Sequence, residues 1–340
     1  METAVYGRGQ GSARTGDKML AAVIHDYGGP EKITTEEVPL PVLGRCDVLV
    51  RLVASEANHI DRYILSGQYQ TTLQFPFIVG RDAVGVVVDV GSGITKFAVG
   101  DAVWTNSLGY DGRQGAMAEY VVAQGDRLYH LAEGIAPTEA ASVLHGGATA
   151  YLGLVREGHL QPGDRVFVGG AGGAVGSAAL QIAVAMEAIV AVSASPEDER
   201  WCRSLGASLV VDYHDANYQE QVARHLGPVD IWWDTSGNLD LAAVVPLMNR
   251  GGRILLTAGM EHILELPAGE FYTRDISLRG FSISNASVDD LAAAAHAMNH
   301  LMREGRLRGR GAATYRLSEV RQAYEDLASG LLRGRIVIIA

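Results

Sequence analysis

Residues 165–183, RVFVGGAGGAVGSAALQIA, hold the most distinctive spacing in the chain. A β-branched run, Val166 to Val168, enters Gly169, Gly170, Ala171, Gly172 and Gly173. A helix is expected from Ala174, with Val175 and Gly176 in its first turn. Small residues let the backbone approach a pyrophosphate, and a helix N-terminus offers it free N–H groups and partial positive charge. Gly176 allows the helix to pack closely on the strand. The pattern is Ala171-x-Gly173-x-x-Gly176, with alanine in the first glycine slot. A lone glycine-rich turn says little. This one follows a strand, opens a helix and begins a βαβ series, and that context points to a dinucleotide.

The second strand of such a unit ordinarily ends in an acid, about 20 residues on, that holds the ribose 2′-hydroxyl. Here it ends AVSAS, so Ser193 and Ser195 stand at the acid's place and nothing there repels a 2′-phosphate. Glu197 and Asp198 follow, on the expected helix. Arg200 and, from the next strand end, Tyr213 are candidate contacts for the phosphate; Arg200 reads equally well as a solvated helix residue. The expected cofactor is NADPH in preference to NADH.

The elements that carry these residues are legible on both sides of the loop. From Met19 the pattern is β: MLAAVIHDY, ITTEEVPLP, DVLVRLVAS, ILSGQY, FPFIVGRDAVGVVVDVGSG, GDAVWTN and AEYVVAQ, punctuated by Gly and Pro. They predict a barrel-like β domain. Near residue 137 the texture changes to helical spacing in PTEAASVLHGGATAYLGLVREG. Strands RVFVGG, AIVAVSA, SLVVDY, VDIWWDT and GRILLTAG then alternate with helices expected at 174–186, 197–205, 216–226 and 239–248, and SLRGFSI adds a candidate edge strand. That order predicts a parallel sheet covered on both faces. Helix 288–304 and the closing AATYRLSEVRQAYEDLASGLLRGRIVIIA return to mixed β and α. The expected fold class is α/β, with a β-rich domain over 19–143 and 285–340, a doubly wound parallel-sheet cofactor domain over 144–284, and a polar tail over 1–18.

Composition narrows the partners. The 340 residues are 48% hydrophobic and 20% charged, with a net charge of -11. An acidic chain repels phosphate backbones and anionic lipid, so nucleic acid and membranes are not expected partners, and ordinary solubility explains the charge. Cys46 and Cys202 form no Cys-x-x-Cys pair or disulfide framework, which fits a reducing, cytoplasmic compartment. No apolar run approaches the roughly 20 residues that span a bilayer. The first eighteen residues lack the apolar core of a secretory signal.

Further segments carry a family likeness: HDYGGPEKI, EANHIDRYILSGQY, FPFIVGRDAVGVVVDVGSG, GGATAYLGL, LGASLVVDY, GGRILLTAG, SLRGFS and the closing GRIVI. Together they make the sequence resemble the medium-chain dehydrogenase/reductase superfamily and, within it, the zinc-free quinone oxidoreductase (zeta-crystallin-like) branch. The resemblance covers essentially residues 19–340. It implies a GroES-like catalytic domain, a Rossmann cofactor domain, an active site in the cleft between them, and a homodimer. Zinc-dependent members carry a Cys-His-Cys set whose positions fall here on Asn58, Arg81 and His145, and the four-cysteine structural lobe is absent. Asn58 is a poor ligand and Arg81 a cation that repels the metal, so no metal is expected; a nonstandard set of His59, Asp82 and His145 is the alternative. His145 reads otherwise as a pocket or packing histidine.

Without zinc the hydride acceptor must be polarised in another way, which suits a quinone or a C=C conjugated to a carbonyl. Asn58 matches the asparagine that quinone reductases carry in this pocket. Tyr63 and Tyr69 share its segment, and Tyr69, in SGQY, resembles the acid tyrosine proposed for enoyl-thioester reductases. Either tyrosine reads equally as packing. Thr149 and Val175 resemble residues that border the nicotinamide ring, and Arg335 resembles a basic cofactor contact or a plain surface residue. The expectation is an NADPH-dependent quinone reductase acting on a small electrophile. An enoyl reductase and a non-catalytic NADPH-binding protein are the alternatives.

Overall fold

The computed structural model describes residues 17–340, so the polar tail lies outside them but for Asp17 and Lys18. Three sheets build the chain. Six parallel strands lie in the order 209–212, 189–194, 165–169, 229–234, 248–256, 277–280. Strand order reverses beside Arg165–Gly169, and ligands of open α/β sheets bind at the carboxyl ends of strands at such a switch point. SLRGFSI supplies the edge strand Ser277–Gly280. Seven strands form the larger sheet of the GroES-like part, with Asp47–Glu56 at its centre between Arg335–Ile339 and Ala83–Val90. A three-stranded sheet pairs Lys18–Ile24 with Thr34–Pro39 and Phe77–Ile78.

Two expectations are corrected. ILSGQY is not a strand. Asn58 N-caps a helix, His59–Leu65, and Asp61, Ile64 and Leu65 are buried at i, i+3, i+4 spacing, which is helical. The helix expected at 239–248 is one turn, Leu241–Val244, followed by the tighter turn Val245–Leu247. Pro246 has no N–H to continue the ladder, and Met248 already starts a strand.

Close packing positions the helices around the nucleotide loop. The helix Leu144–Tyr151 carries His145 and Thr149. A Cβ on Gly146 would lie 2.9 Å from the Ala174 carbonyl oxygen, so this helix runs flush against the start of the nucleotide helix Ala174–Ala185. Gly153 gives way to the Trp233 ring, 2.3 Å from where its Cβ would stand. The helix Val288–Arg303, opened by a Ser287–Asp290 capping box, buries Leu291, Met298 and Leu301 in the same core as Val166 and Leu180. Each such side chain contributes about 1.5–3 kcal/mol. No described helix is long and apolar enough to cross a membrane.

Candidate active site

The strand Asp47–Glu56 ends in a buried polar cluster. Glu56, Asn58, Asp61, Arg81 and Asp82 are all at most 3% exposed. Asn58 opens its helix by donating its backbone N–H to Asp61 Oδ2 at 2.9 Å. Its side-chain amide is committed inward. Nδ2 donates to Asp82 Oδ2 at 2.6 Å and to the Glu56 carbonyl at 3.4 Å, while Oδ1 accepts from Arg335 Nη2 at 3.3 Å. Asn58, matched above to a pocket asparagine, holds Asp82 in place here. Arg335, expected at the cofactor or the surface, is buried and pairs with Glu56. Tyr324 donates to Asp61 Oδ2 at 2.6 Å.

Three carboxyls and two guanidiniums cannot all be charged at once without cost. Burial raises Glu56, and the Arg335 cation opposes it. Burial lifts Asp61 to about 6, against the Tyr324 and Asn58 hydrogen bonds. Asp82 is raised well above the carboxylate range by burial and by the neighbouring Glu56 and Asp61. His145 is pushed down to about 3 by burial and by Arg81 and Arg335, so its ring is neutral. Its Nδ1 stands 4.0 Å from Asp82 Oδ1, and neither atom has a hydrogen-bond partner among the described residues.

This set does not fit a zinc ion. A guanidinium stays protonated and offers no lone pair, and Arg81 occupies one of the three positions. Asn58 turns its amide nitrogen to Asp82, and His59 is exposed rather than gathered with Asp82 and His145. Among the described residues, no three His, Cys, Asp or Glu side chains come together for a metal.

Two tyrosines bridge from this region to the segment 282–285 that follows the last strand of the cofactor sheet. The Tyr69 and Ser282 hydroxyls lie 2.6 Å apart, and Tyr110 donates to Asn285 Oδ1 at 3.5 Å. The two rings meet edge to face at 5.9 Å, and the Arg81 guanidinium stands over the Tyr110 ring at 5.4 Å. Tyr63 lies on the outer side of its helix, 41% exposed, and does not join them.

The glycine loop fits a dinucleotide. Gly170 has a φ of +77°, in the left-handed region. A Cβ on Gly176 would lie 2.4 Å from the Gly170 carbonyl oxygen, so glycine alone permits this approach. Ala171 donates its N–H to the Ser193 carbonyl at 2.9 Å. Gly173 N-caps the helix without a side-chain cap, which leaves the N-terminal N–H groups of Ala174, Val175 and Gly176 for an anion. Gly172 serves packing as well: Asp198 Oδ2 stands 2.3 Å from where its Cβ would be. A cleft of 530 Å³ opens beside the loop, lined by Gly170, Ser193, Tyr213 and Asp234 among others. Thr149 is buried, its hydroxyl on the His145 carbonyl at 2.8 Å.

At the end of the second strand, Ser193 holds the loop by accepting from the Gly170 N–H at 3.3 Å. Ser195 accepts from Arg333 Nη1 at 2.9 Å and donates to Asp198 Oδ2 at 3.1 Å. Arg310 and Arg333 both pair with Asp198, and Arg333 with Glu197 at 3.2 Å. The basic residues that converge here are thus Arg310 and Arg333, whereas Arg200 is exposed on its helix. Sequence reasoning missed both, because Arg333 lies 138 positions from Ser195 and no local spacing announces it.

Comparisons with known proteins agree with this build. Residues 44–133 match the family pattern described as alcohol dehydrogenase GroES-like domain, and residues 174–300 the one described as zinc-binding dehydrogenase. The chain is 28% identical to a human quinone oxidoreductase over 93% of this chain and 96% of that one. A solved NAD-dependent alcohol dehydrogenase is 30% identical, with a TM-score of 0.86 over 95% of this chain and all of the other. An alcohol dehydrogenase superfamily protein from Novosphingobium aromaticivorans is 27% identical, also with a TM-score of 0.86, over 95% of this chain and 99% of that one.

Proposed function

The chain belongs to the medium-chain dehydrogenase/reductase superfamily, in its quinone-oxidoreductase-like branch, and on that premise we propose that it is an NADPH-dependent reductase of quinones or carbonyl-conjugated C=C bonds, working without zinc. The observation that carries the zinc-free reading is the buried Arg81 guanidinium in the place of a metal ligand, beside an Asn58 amide committed to Asp82. A substrate here must be activated by hydrogen bonds and fixed charge.

When bound, the reduced nicotinamide supplies the hydride. The loop at Gly170–Gly173 and the uncapped helix start would hold its pyrophosphate. Thr149 and Val175, on two helices that touch at Gly146 and Ala174, would wall the ring. Ser195 with Arg333 and Arg310 favours a 2′-phosphate, because two cations stand where an NAD site places an acid. Asp198 and Glu197 hold these cations in the free protein, and the phosphate would compete with them.

Reduction of an enone or enoyl thioester is the second reading. The Tyr69 hydroxyl favours it, being part-buried and anchored on Ser282 of the cofactor part. Such a group can give the proton that an enone needs at carbon and that a quinone can take from water. The test is NADPH oxidation by chelator-treated protein against a panel of quinones and enones. Activity with either class supports the reading, and none with both rejects it.

A further inference from the structure

Arg81 is 2% exposed, and its Nε and Nη1 are buried without a hydrogen-bond partner among the described residues. No carboxylate of the described residues lies within 4.0 Å of it, although Asp61 and Asp82 feel its charge. Burying a cation and leaving its donors unmade is costly, and natural interiors seldom do it without a purpose. The guanidinium is aimed at an aromatic wall. Tyr110 lies over it at 5.4 Å, and Tyr69 meets Tyr110 edge to face. Both tyrosines are anchored on the segment 282–285 that follows the last strand of the cofactor sheet, so the aromatic wall beside the guanidinium lies where the two parts meet.

We propose that Arg81 is a catalytic electrophile, whose unpartnered Nε–H and Nη–H groups bind the oxygen that becomes anionic as a flat quinone or enone is reduced. This rests on the reductase reading above. The substrate takes a hydride, with its two electrons, at carbon or at a ring position. The carbonyl π pair moves onto oxygen, the nicotinamide is left oxidised, and the negative oxygen stays against Arg81 until a proton arrives from Tyr69 or water. A planar fork of donors is suited to an oxyanion in a low-dielectric site, and it does there what a Lewis acid does elsewhere.

The test uses a nitrophenol, whose phenolate imitates that oxyanion and whose ionisation is read by its visible absorbance without any cofactor. Wild-type protein should bind the phenolate at least about tenfold more tightly than the phenol, a downward shift of about one unit or more in the bound phenol. The phenolate should compete with the quinone. Arg81→Met should abolish the shift while leaving the NADPH dissociation constant unchanged. Arg81→Lys keeps a buried cation but loses the fork, so it should retain only part of the shift, which decides the matter if the Met variant does not fold. A wild-type protein with no phenolate preference, or a full preference in either variant, would overturn the proposal. If the wild type shows the preference but reduces no quinone or enone, the reductase reading fails and the anion site stands. If it reduces them with no preference, Arg81 serves the fold and the reading stands.

Discussion

The hydroxyls of Tyr69 and Ser282 meet at 2.6 Å, joining a turn of the GroES-like part to the segment after the last strand of the cofactor sheet. They lie 213 positions apart, so the contact exists only once both parts have folded and closed. It fixes the part-buried Tyr69 hydroxyl at the junction of the two parts.

Tyr69→Phe should lower enone turnover on the order of 10²-fold, as loss of a transition-state donor does, and quinone turnover by much less. Ser282→Ala keeps the tyrosine but frees its hydroxyl, and should lower enone turnover by about tenfold or less. Single-turnover NADPH absorbance with each acceptor checks both. Rates within about twofold of wild type for Tyr69→Phe, below the cost of a lost donor, would reduce Tyr69 to a clasp.

Arg333→Ala should weaken NADPH by at least about tenfold, the value of a charge-assisted contact, and leave NADH nearly unchanged. Arg200→Ala should change neither, since Arg200 is exposed while Arg333 sits on Ser195. Fluorescence titration of the two cofactors checks this. Equal weakening of both would place Arg333 in folding rather than in selection.

The glycine loop separates packing from binding. Gly173→Val should leave the melting temperature near that of wild type, because a Cβ there meets only the Gly170 oxygen at 3.3 Å, yet block the pyrophosphate. Gly176→Val meets the same oxygen at 2.4 Å and Ala171 Cα at 2.9 Å, and should cost about 1–3 kcal/mol or more of stability. Thermal melts with and without NADPH distinguish the two.

Asp61 gives a signed pH dependence. Its carboxyl titrates near 6 in the folded chain against 3.8 ordinarily, because burial favours the neutral form. Its contribution to stability is fully present below 3.8 and is lost as pH rises through 6. Asp61→Asn keeps an oxygen to accept from Tyr324 and Asn58, which both bond Oδ2. The variant should therefore gain on wild type between pH 4 and pH 7 by about 2 kcal/mol, measured by urea unfolding. A constant difference across that range would show that Asp61 does not titrate there.

What the sequence disclosed follows from how local each cause is. Gly170, Gly173 and Gly176 are needed by a strand–turn–helix written in adjacent residues, and the loop stands where it was expected. The alternation of apolar strands with helices gave the parallel sheet and its edge strand Ser277–Gly280 for the same reason. ILSGQY misled because Ile64 and Leu65 read as a β run when taken without the Asn58–Asp61 cap before them. The inward turn of Asn58 and Arg335 depends on Glu56 and Asp82, and Arg335 reaches Asn58 across 277 positions. Arg333 on Ser195 and Tyr69 on Ser282 are likewise products of tertiary closure, invisible to spacing.

The measurement that bears most directly on the account is single-turnover oxidation of NADPH by a quinone, run on protein whose metal content has been determined before and after chelation. The account predicts hydride transfer at an undiminished rate, with NADPH bound more tightly than NADH and no stoichiometric zinc. Activity that disappears with one bound zinc per chain and returns when zinc is restored would contradict it.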